Sequence, residues 1–267
     1  GIKMVGEFSL IMFDNMPMMA IIVAFIIFVL IGMGIGFVSG FFGIGGGTIL
    51  VPILLNLGFD IKSAIGISVL QMFIGALFGS YMNYKNKKLV LNDGIIVGIG
   101  GLVGASFSGL IVANTPSIVL KLAVLFMLLV AIIKFFKADV QNTNPKEISK
   151  PIMFGVGVFV GAIAISVGLG GALFLTPIFV GFLKMDIKKA VSIGLFFVVF
   201  SSFAGLISLA NADLVDYKTG LMIGIGSIIG VYFGVKVGHR VDKQIQKKLA
   251  LGLYIIMFIL MIKNIVF

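Results

Sequence analysis

The chain contains a succession of uninterrupted apolar runs, each close to 20 residues long. A helix needs about 20 apolar residues to cross the ~30 Å hydrocarbon core of a bilayer. In lipid every backbone polar group must find a partner within the protein, so runs of this length are expected to be α-helices. We therefore predict an all-α integral membrane protein with helices over 18–37, 63–84, 94–113, 117–136, 190–210, 219–238 and 249–267.

Composition indicates the same class. Hydrophobic residues make up 60% of the chain and charged residues only 11%, with a mean hydropathy of +1.24, whereas soluble domains are roughly half apolar and about a quarter charged. The net charge of +10 does not indicate nucleic-acid binding, because the basic residues lie between the apolar runs, as the positive-inside rule describes. The chain has no cysteine and one histidine, His239, which we expect in a solvated loop. We therefore expect no metal, no cofactor and no catalytic residues of an enzyme.

The sequence also contains two copies of one pattern. Residues of the first copy recur 125 residues later and, after a one-residue slip, 126 residues later. The matched residues of the first copy are Gly36, Gly43, Gly45, Gly46, Pro52, Asp60, Lys62, Ala64, Gly94, Gly98, Gly100, Gly104 and Lys121. We predict a first transmembrane repeat over 18–136, a polar cytoplasmic linker over 137–150 and a second, inverted transmembrane repeat over 151–267.

Each copy reads as a glycine-interrupted helical hairpin followed by three transmembrane helices. This makes five segments, and an odd number brings the second copy into the membrane from the opposite side. The loop charges support this topology, because 15 of the 20 basic residues fall on one predicted side: Lys85, Lys87, Lys88, Lys134, Lys137, Lys146, Lys150, Lys184, Lys188, Lys189, Lys236, Arg240, Lys243, Lys247 and Lys248. We expect these basic loops in the cytoplasm and both termini outside. Residues before Pro17 are expected to form an interfacial segment.

Two glycine clusters break the first helix of each copy. In transporters with inverted repeats, broken helices meet near the bilayer midplane, and the unpaired N–H groups at a helix N-terminus attract anions. The clusters therefore predict a substrate site for a small anion, formed by Gly43, Gly45, Gly46, Gly47, Thr48, Gly168, Gly170, Gly171 and Ala172. The alternative is that these glycines only allow helices to pack closely.

Polar side chains within apolar runs are the next candidates, since polar groups in a membrane are costly. Gln71 and Ser166 are predicted to bind the substrate; a buried amide needs several partners, whereas a serine often bonds to its own helix. Three phenylalanines near the clusters are candidate gates: Phe41, Phe42 and Phe174. Alternatively, these rings face lipid or neighbouring helices.

The motif F-V-S-G-F-F-G-I-G-G-G-T-I-L-V-P, with a second copy that ends in G-L-G-G-A-L-F-L-T-P, resembles the TauE/SafE sulfite exporter family over residues 23–267. The resemblance implies export of sulfite, sulfoacetate or a related organosulfonate, with the anion at the two glycine motifs. Ala172 stands where the first motif has Gly47, so the two half-sites are expected to differ.

We thus expect a secondary transporter of small sulfur-containing anions in the cell inner membrane. Its expected partners are the anion and the lipid bilayer, with a possible homodimer. Two alternatives remain open: an anion channel or facilitator, which never accumulates substrate against its gradient, and a non-transporting membrane scaffold.

Overall fold

A computed structural model describes residues 18–87, 91–137 and 148–267 of the chain. Regular structure within these ranges is helical, as predicted. The helices are α1 (Met18–Phe42), α2 (Gly47–Asn56), α3 (Ile61–Lys85), α4 (Leu91–Ala105), α5 (Ser108–Asn114), α6 (Ser117–Phe136), α7 (Lys150–Ser166), α8 (Ala172–Pro177), a π-helical turn (Ile178–Phe182), α9 (Ile187–Asn211), α10 (Tyr217–Gly238) and α11 (Lys243–Val266).

Six apolar helices of the described ranges are long enough to cross a membrane: Met18–Phe42, Ile61–Lys85, Leu91–Asn114, Lys188–Asn211, Tyr217–Gly238 and Lys243–Val266. The multispan prediction therefore agrees with the structure at the level of helix length and composition. The interfacial segment before Pro17 and positions 138–147 of the linker lie outside the described residues.

Aspartates define where several of these helices begin. Asp60 precedes α3, and its carboxylate accepts a hydrogen bond from the N–H of Ser63 at 3.1 Å. Asp186 precedes α9, and its Oδ1 accepts from the N–H of Lys188 at 2.9 Å. Because a capping carboxylate satisfies N–H groups that have no intrahelical acceptor, helix capping accounts for the repetition of this aspartate in both copies.

The predicted helix over 94–113 is divided in the structure, which corrects that boundary. α4 ends at Ala105 and α5 begins at Ser108, whereas the equivalent α10 is continuous. Ser208 of α9 bridges the break, since its hydroxyl donates to the Ser106 carbonyl and accepts from the Gly109 N–H, each at 2.8 Å. A side chain from a neighbouring helix thus replaces backbone bonds at the break between α4 and α5.

Two helix pairs pack backbone to backbone along glycine seams. In the pair α1 and α10, a Cβ built on Gly36 would lie 2.6 Å from the Cα of Ser227. In the pair α4 and α7, a Cβ on Gly161 would lie 2.8 Å from the Cα of Gly101. Positions 36 and 161 are 125 residues apart, and positions 101 and 227 are 126 apart, so these are the same contact in the two copies. The spaced glycines therefore act as packing residues.

The contacts also give the relative directions of the helices. Along α1 and α10, Gly32 meets Ile223 and Gly40 meets Val231, so the two helices run parallel. Helices α3 and α9 run antiparallel, because Gly79 meets Leu195 while Phe73 meets Phe203, with ring centroids 5.7 Å apart. The first and second copies therefore meet along the contact of α3 with α9 as well as along both glycine seams.

Candidate functional site

The first glycine cluster reverses the chain after α1. Gly43 and Gly45 have φ angles of 64° and 73°, a left-handed conformation that is readily adopted by glycine and costly for most other residues. The reversal brings Gly46 back beside Ile35 of α1, where a Cβ would lie 2.6 Å from Ile35 Cγ2. Helix α2 then begins at Gly47 and is buried over most of its length.

The second cluster makes the corresponding turn after α7. Gly168, Gly170 and Gly171 have φ angles of 72°, 78° and 74°. The short helix α8 follows from Ala172, which is fully buried and packs on Gly194 of α9. Each predicted helix break is therefore present as a turn made possible by glycine.

The two turns lie against each other in the protein interior. A Cβ on Gly47 would clash with the carbonyl oxygen of Gly168, and a Cβ on Gly170 would lie 3.7 Å from the carbonyl oxygen of Ile44. Met72, near the middle of α3, touches both turns. The structure therefore brings together the glycines of the two predicted half-sites.

Backbone N–H groups of the first turn are left unpaired. Ile49 and Leu50 both donate to the carbonyl of Gly46, at 3.2 and 3.0 Å. In the described part of the chain, no acceptor bonds the N–H groups of the four preceding residues, Gly45, Gly46, Gly47 and Thr48. These donors, at the N-terminus of the ten-residue helix α2, can bind an anion.

Two polar side chains next to these donors also lack partners. Gln71 and Thr48 are fully buried, and neither the amide nor the hydroxyl makes a hydrogen bond in the described structure. The Gln71 amide fills the space over Gly46, where a Cβ would clash with its Oε1. A buried polar group without a partner lowers stability by about 1–3 kcal/mol, and in a native protein such a group calls for a functional or structural explanation.

The second half-site is more apolar. Phe197 is the counterpart of Gln71, 126 residues later, and its ring lies over Gly171, 2.5 Å from the position of a Cβ. The predicted site residue Ser166 donates its hydroxyl hydrogen to the Ala162 carbonyl at 2.6 Å, as serines in membrane helices commonly do. The two predicted half-sites thus differ in polarity. This adds to the difference between Gly47 and Ala172 that was expected from the sequence.

The predicted gate residues lie at two places. Phe41 and Phe42, at the end of α1, are buried with ring centroids 4.6 Å apart. The Phe41 carbonyl accepts a hydrogen bond from Gln246 Nε2 at 2.7 Å, so Phe41 joins α1 to α11. Phe174 is half-buried on α8. A gating role for these rings stays a prediction.

His239 lies in the turn after α10, as expected, but the expectation that it is solvated is wrong. His239 follows α10 as its C-cap, is half-buried, and lies 2.9 Å through Nε2 from Asn83 Oδ1 of α3. At the same end of the molecule, Lys189 pairs with Asp93 at 2.9 Å. Polar contacts of this end therefore connect helices of the two copies.

A second ion pair at this end joins Asp186 to Lys243. Burial raises the pKa of its carboxyl, but the hydrogen bond from Lys243 and the N–H groups of Lys189 and Lys188 lower it by more, so the pKa lies below its ordinary value of 3.8. Asp186 is therefore ionised at neutral pH. The described residues include no group of three or more His, Cys, Asp or Glu that could hold a metal ion.

A surface groove of about 560 Å³ lies away from the glycine turns, between α4–α5 and α9. Its lining includes Leu102, Ser106, Leu110, Phe203, Ile207 and Ser208. Exposed apolar side chains form much of this lining, and it contains none of the predicted site residues. The turns themselves are closed, since every residue from Ser39 to Pro52 is buried.

Sequence reasoning missed two residues of this region. Met72 was overlooked because a methionine in an apolar run carries no signal by itself, although it follows Gln71 directly. The 126-residue shift, applied to Gln71, identifies Phe197. It would have shown that a polar residue covers one turn and an apolar residue covers the other.

Comparison with known proteins identifies a family of membrane transporters. Residues 28–261 match the family described as sulfite exporter TauE/SafE. A probable membrane transporter protein of Methanocaldococcus jannaschii is 29% identical over 198 residues, which cover 71% of this chain and 73% of that protein. The probable membrane transporter protein YdhB of Bacillus subtilis is 24% identical over 206 residues, covering 73% and 83%. The Bacillus subtilis protein YunE, also a probable membrane transporter, is 27% identical over 237 residues, covering 78% and 86%. No solved structure matches the chain.

Proposed function

Because the chain belongs to the sulfite exporter TauE/SafE family, a family of multi-pass membrane transporters, we propose that it is a secondary transporter that exports small sulfur-containing anions. Sulfite, sulfoacetate and related organosulfonates are the proposed substrates. The proposed site lies between the two glycine turns, near the bilayer midplane, where α3 and α9 cross.

One observation carries this proposal. At the meeting point of the turns, the N–H groups of residues 45–48, the hydroxyl of Thr48 and the amide of Gln71 are buried donors without acceptors. An oxyanion has several acceptor oxygens and would satisfy such a cluster. A scaffold protein has no need for unpaired donors at this depth, so the arrangement favours transport of an anion over the scaffold alternative.

The electrostatics of the turns favour reversible binding. Segments 18–56 and 151–183 contain no charged residue, so no lysine or arginine of these segments neutralises the anion. A helix N-terminus contributes about 0.3–1 kcal/mol when exposed and up to about 2 kcal/mol when partly buried. Modest binding of this kind suits a carrier, which must release its substrate on the other side.

We further propose that the two repeats are inverted and that helices around the site move during transport. The equivalent seams α1–α10 and α4–α7 and the antiparallel crossing of α3 and α9 support this topology. A movement that keeps both seams intact would expose the turns alternately to the two sides. The side of Lys85, Lys189 and Arg240 is proposed to be cytoplasmic, as the positive-inside rule requires.

Flux measurements in proteoliposomes test the proposal. Sulfite, sulfoacetate, thiosulfate and sulfate would be offered with and without a pH gradient. We expect native protein to transport sulfite or a sulfonate in preference to sulfate. Thr48→Val keeps the shape of the side chain but removes its hydroxyl, so flux should fall about tenfold if one hydrogen bond to the anion is lost.

The matched control is Thr219→Val. Thr219 Oγ1 donates to the capping carboxylate of Asp216 at 2.8 Å, at the start of α10 and away from the turns. This variant should melt at a lower temperature while retaining transport. Flux that never accumulates an anion against its gradient would favour a channel, and absence of flux for every anion would contradict the proposal.

A further inference from the structure

Met72 occupies the space between the two glycine turns. Its side chain is 1% exposed. The sulfur lies 2.9 Å from the Cβ position of Gly47 and 3.4 Å from that of Gly45, and a Cβ on Gly170 would clash with it. One thioether therefore fills the place that both turns face.

The thioether of Met72 is poorly suited to the hydrogen-bond donors that surround it. A thioether is only a weak hydrogen-bond acceptor, so Met72 leaves the N–H groups of residues 45–48 unpaired. Methionine is unbranched and has three rotatable bonds, which lets it change conformation more easily than a branched residue. It can therefore leave this position without a change in the backbone of α3.

We propose that Met72 is a movable stopper that occupies the anion position in the empty transporter and sets the largest anion that the site accepts. This inference rests on the proposed transport function and adds to it a specificity-determining residue. As an anion enters, its oxygens take the N–H donors and the Gln71 amide, and the thioether swings aside.

The second copy has no flexible side chain at the position equivalent to Met72. The counterpart of Met72 is Val198, whose Cγ2 lies 3.5 Å from the Cβ position of Gly45. Valine is shorter and stiff at χ1 because it is β-branched. The movable stopper is therefore contributed by α3 alone, next to the polar half-site, while α9 provides a fixed wall.

A series of sulfonates of increasing size tests this role. Native, Met72→Ala and Met153→Ala proteins would be compared for flux of methanesulfonate, ethanesulfonate and benzenesulfonate. Met153 is equally buried but lies near the start of α7, distant from the second turn, so its variant controls for loss of a buried thioether. In Met72→Ala the ratio of benzenesulfonate to methanesulfonate flux should rise about tenfold or more, while Met153→Ala keeps the native ratio. An unchanged ratio in folded Met72→Ala would overturn the stopper.

A labelling experiment tests the position of residue 72 without a flux measurement. The chain has no cysteine, so Met72→Cys introduces a unique thiol. We expect an anionic methanethiosulfonate reagent to modify it faster than the thiol of Ala76→Cys, which lies one turn further along α3 and is equally buried. Methanesulfonate should slow the reaction at position 72 only.

The two measurements separate this inference from the transport proposal. Native flux combined with an unchanged size ratio overturns the stopper alone, whereas absence of native flux for every anion contradicts transport. If no anion is transported, the labelling experiment still tests the stopper. A thiol at position 72 that reacts no faster than a thiol at position 76 would overturn it.

Discussion

Gln71 and Phe197 occupy equivalent positions of α3 and α9, and each covers a glycine of the turn in its own copy, Gly46 and Gly171 respectively. The first contact places an unpartnered amide at the turn, and the second places an aromatic ring. The duplicated backbone thus carries one polar and one apolar half-site. In the proposed site, the first copy would therefore supply most of the anion's hydrogen bonds.

Replacement of Gln71 by leucine should abolish anion flux without weakening the fold. The amide makes no hydrogen bond to any residue that the structure describes, so its removal relieves a desolvation cost of about 1–3 kcal/mol. We expect the melting temperature in detergent to stay the same or to rise, and stabilisation by added sulfite to disappear. Thermal unfolding with and without sulfite measures both effects.

Gln246→Leu is the matched control for this prediction. The amide nitrogen of Gln246 donates to the Phe41 carbonyl, and its loss leaves that acceptor without a donor. This variant should therefore lower the free energy of unfolding by about 1–3 kcal/mol. A lower melting temperature in Gln71→Leu, comparable to that in Gln246→Leu, would indicate a structural role for both glutamines.

Gly47→Ala should separate the two turns. The new methyl group would clash with the carbonyl oxygen of Gly168, a backbone atom that cannot rotate away. We expect a loss of about 1–3 kcal/mol in stability, as for other overpacked positions, together with loss of transport. Gly34→Ala is the control, because apart from the neighbouring backbone of α1 no described atom lies within 4 Å of its added Cβ, and it should change stability by no more than about 1 kcal/mol. Equal melting temperatures of the two variants would contradict the close contact of the turns.

The sequence predicted the helices and the two turns but not the packing details between them. Apolar length decides which segments are helices, and the positive φ of Gly43 and Gly168 explains why the turns could be located from glycines alone. The break between α4 and α5 was missed because Ser208, about 100 residues away in the chain, replaces the backbone bonds there. Contacts between distant residues leave no local pattern. The half-buried position of His239 escaped prediction for the same reason, since its partner Asn83 belongs to the other copy.

Single cysteines test the proposed inverted topology. We expect an impermeant thiol reagent to label Lys121→Cys and Lys218→Cys on intact cells. Lys85→Cys and Arg240→Cys should react only after permeabilisation, because the basic loops are proposed to face the cytoplasm. The absence of native cysteines gives a low background. Labelling of positions 85 and 218 from the same side would contradict the inversion.

Asp186→Asn should weaken the contact between the start of α9 and α11 in a pH-dependent manner. Asparagine retains the helix cap, so the variant removes only the charge that pairs with Lys243. The pKa of Asp186 is lowered in the folded protein, so the stabilisation is present above the ordinary pKa of 3.8 and is lost as the pH falls through the lowered value. At pH 7 the variant should lose no more than about 1 kcal/mol, because the pair is partly exposed to solvent. Melting curves between neutral and strongly acidic pH measure the difference in stability between the native protein and the variant. This difference should vanish in acid. A difference that stays constant with pH would rule out the ion pair as its cause.

The position of a bound anion tests the central claim most directly. Selenite has the shape of sulfite, and its selenium gives an anomalous X-ray signal that can be located in crystals grown at a concentration that inhibits sulfite flux. The account predicts a selenium peak within about 4 Å of the N–H groups of residues 46–48 and of the Gln71 amide, with the oxygens at hydrogen-bonding distance. A peak elsewhere, for example in the groove beside Ser106 and Ser208, with none between the two turns, would contradict it.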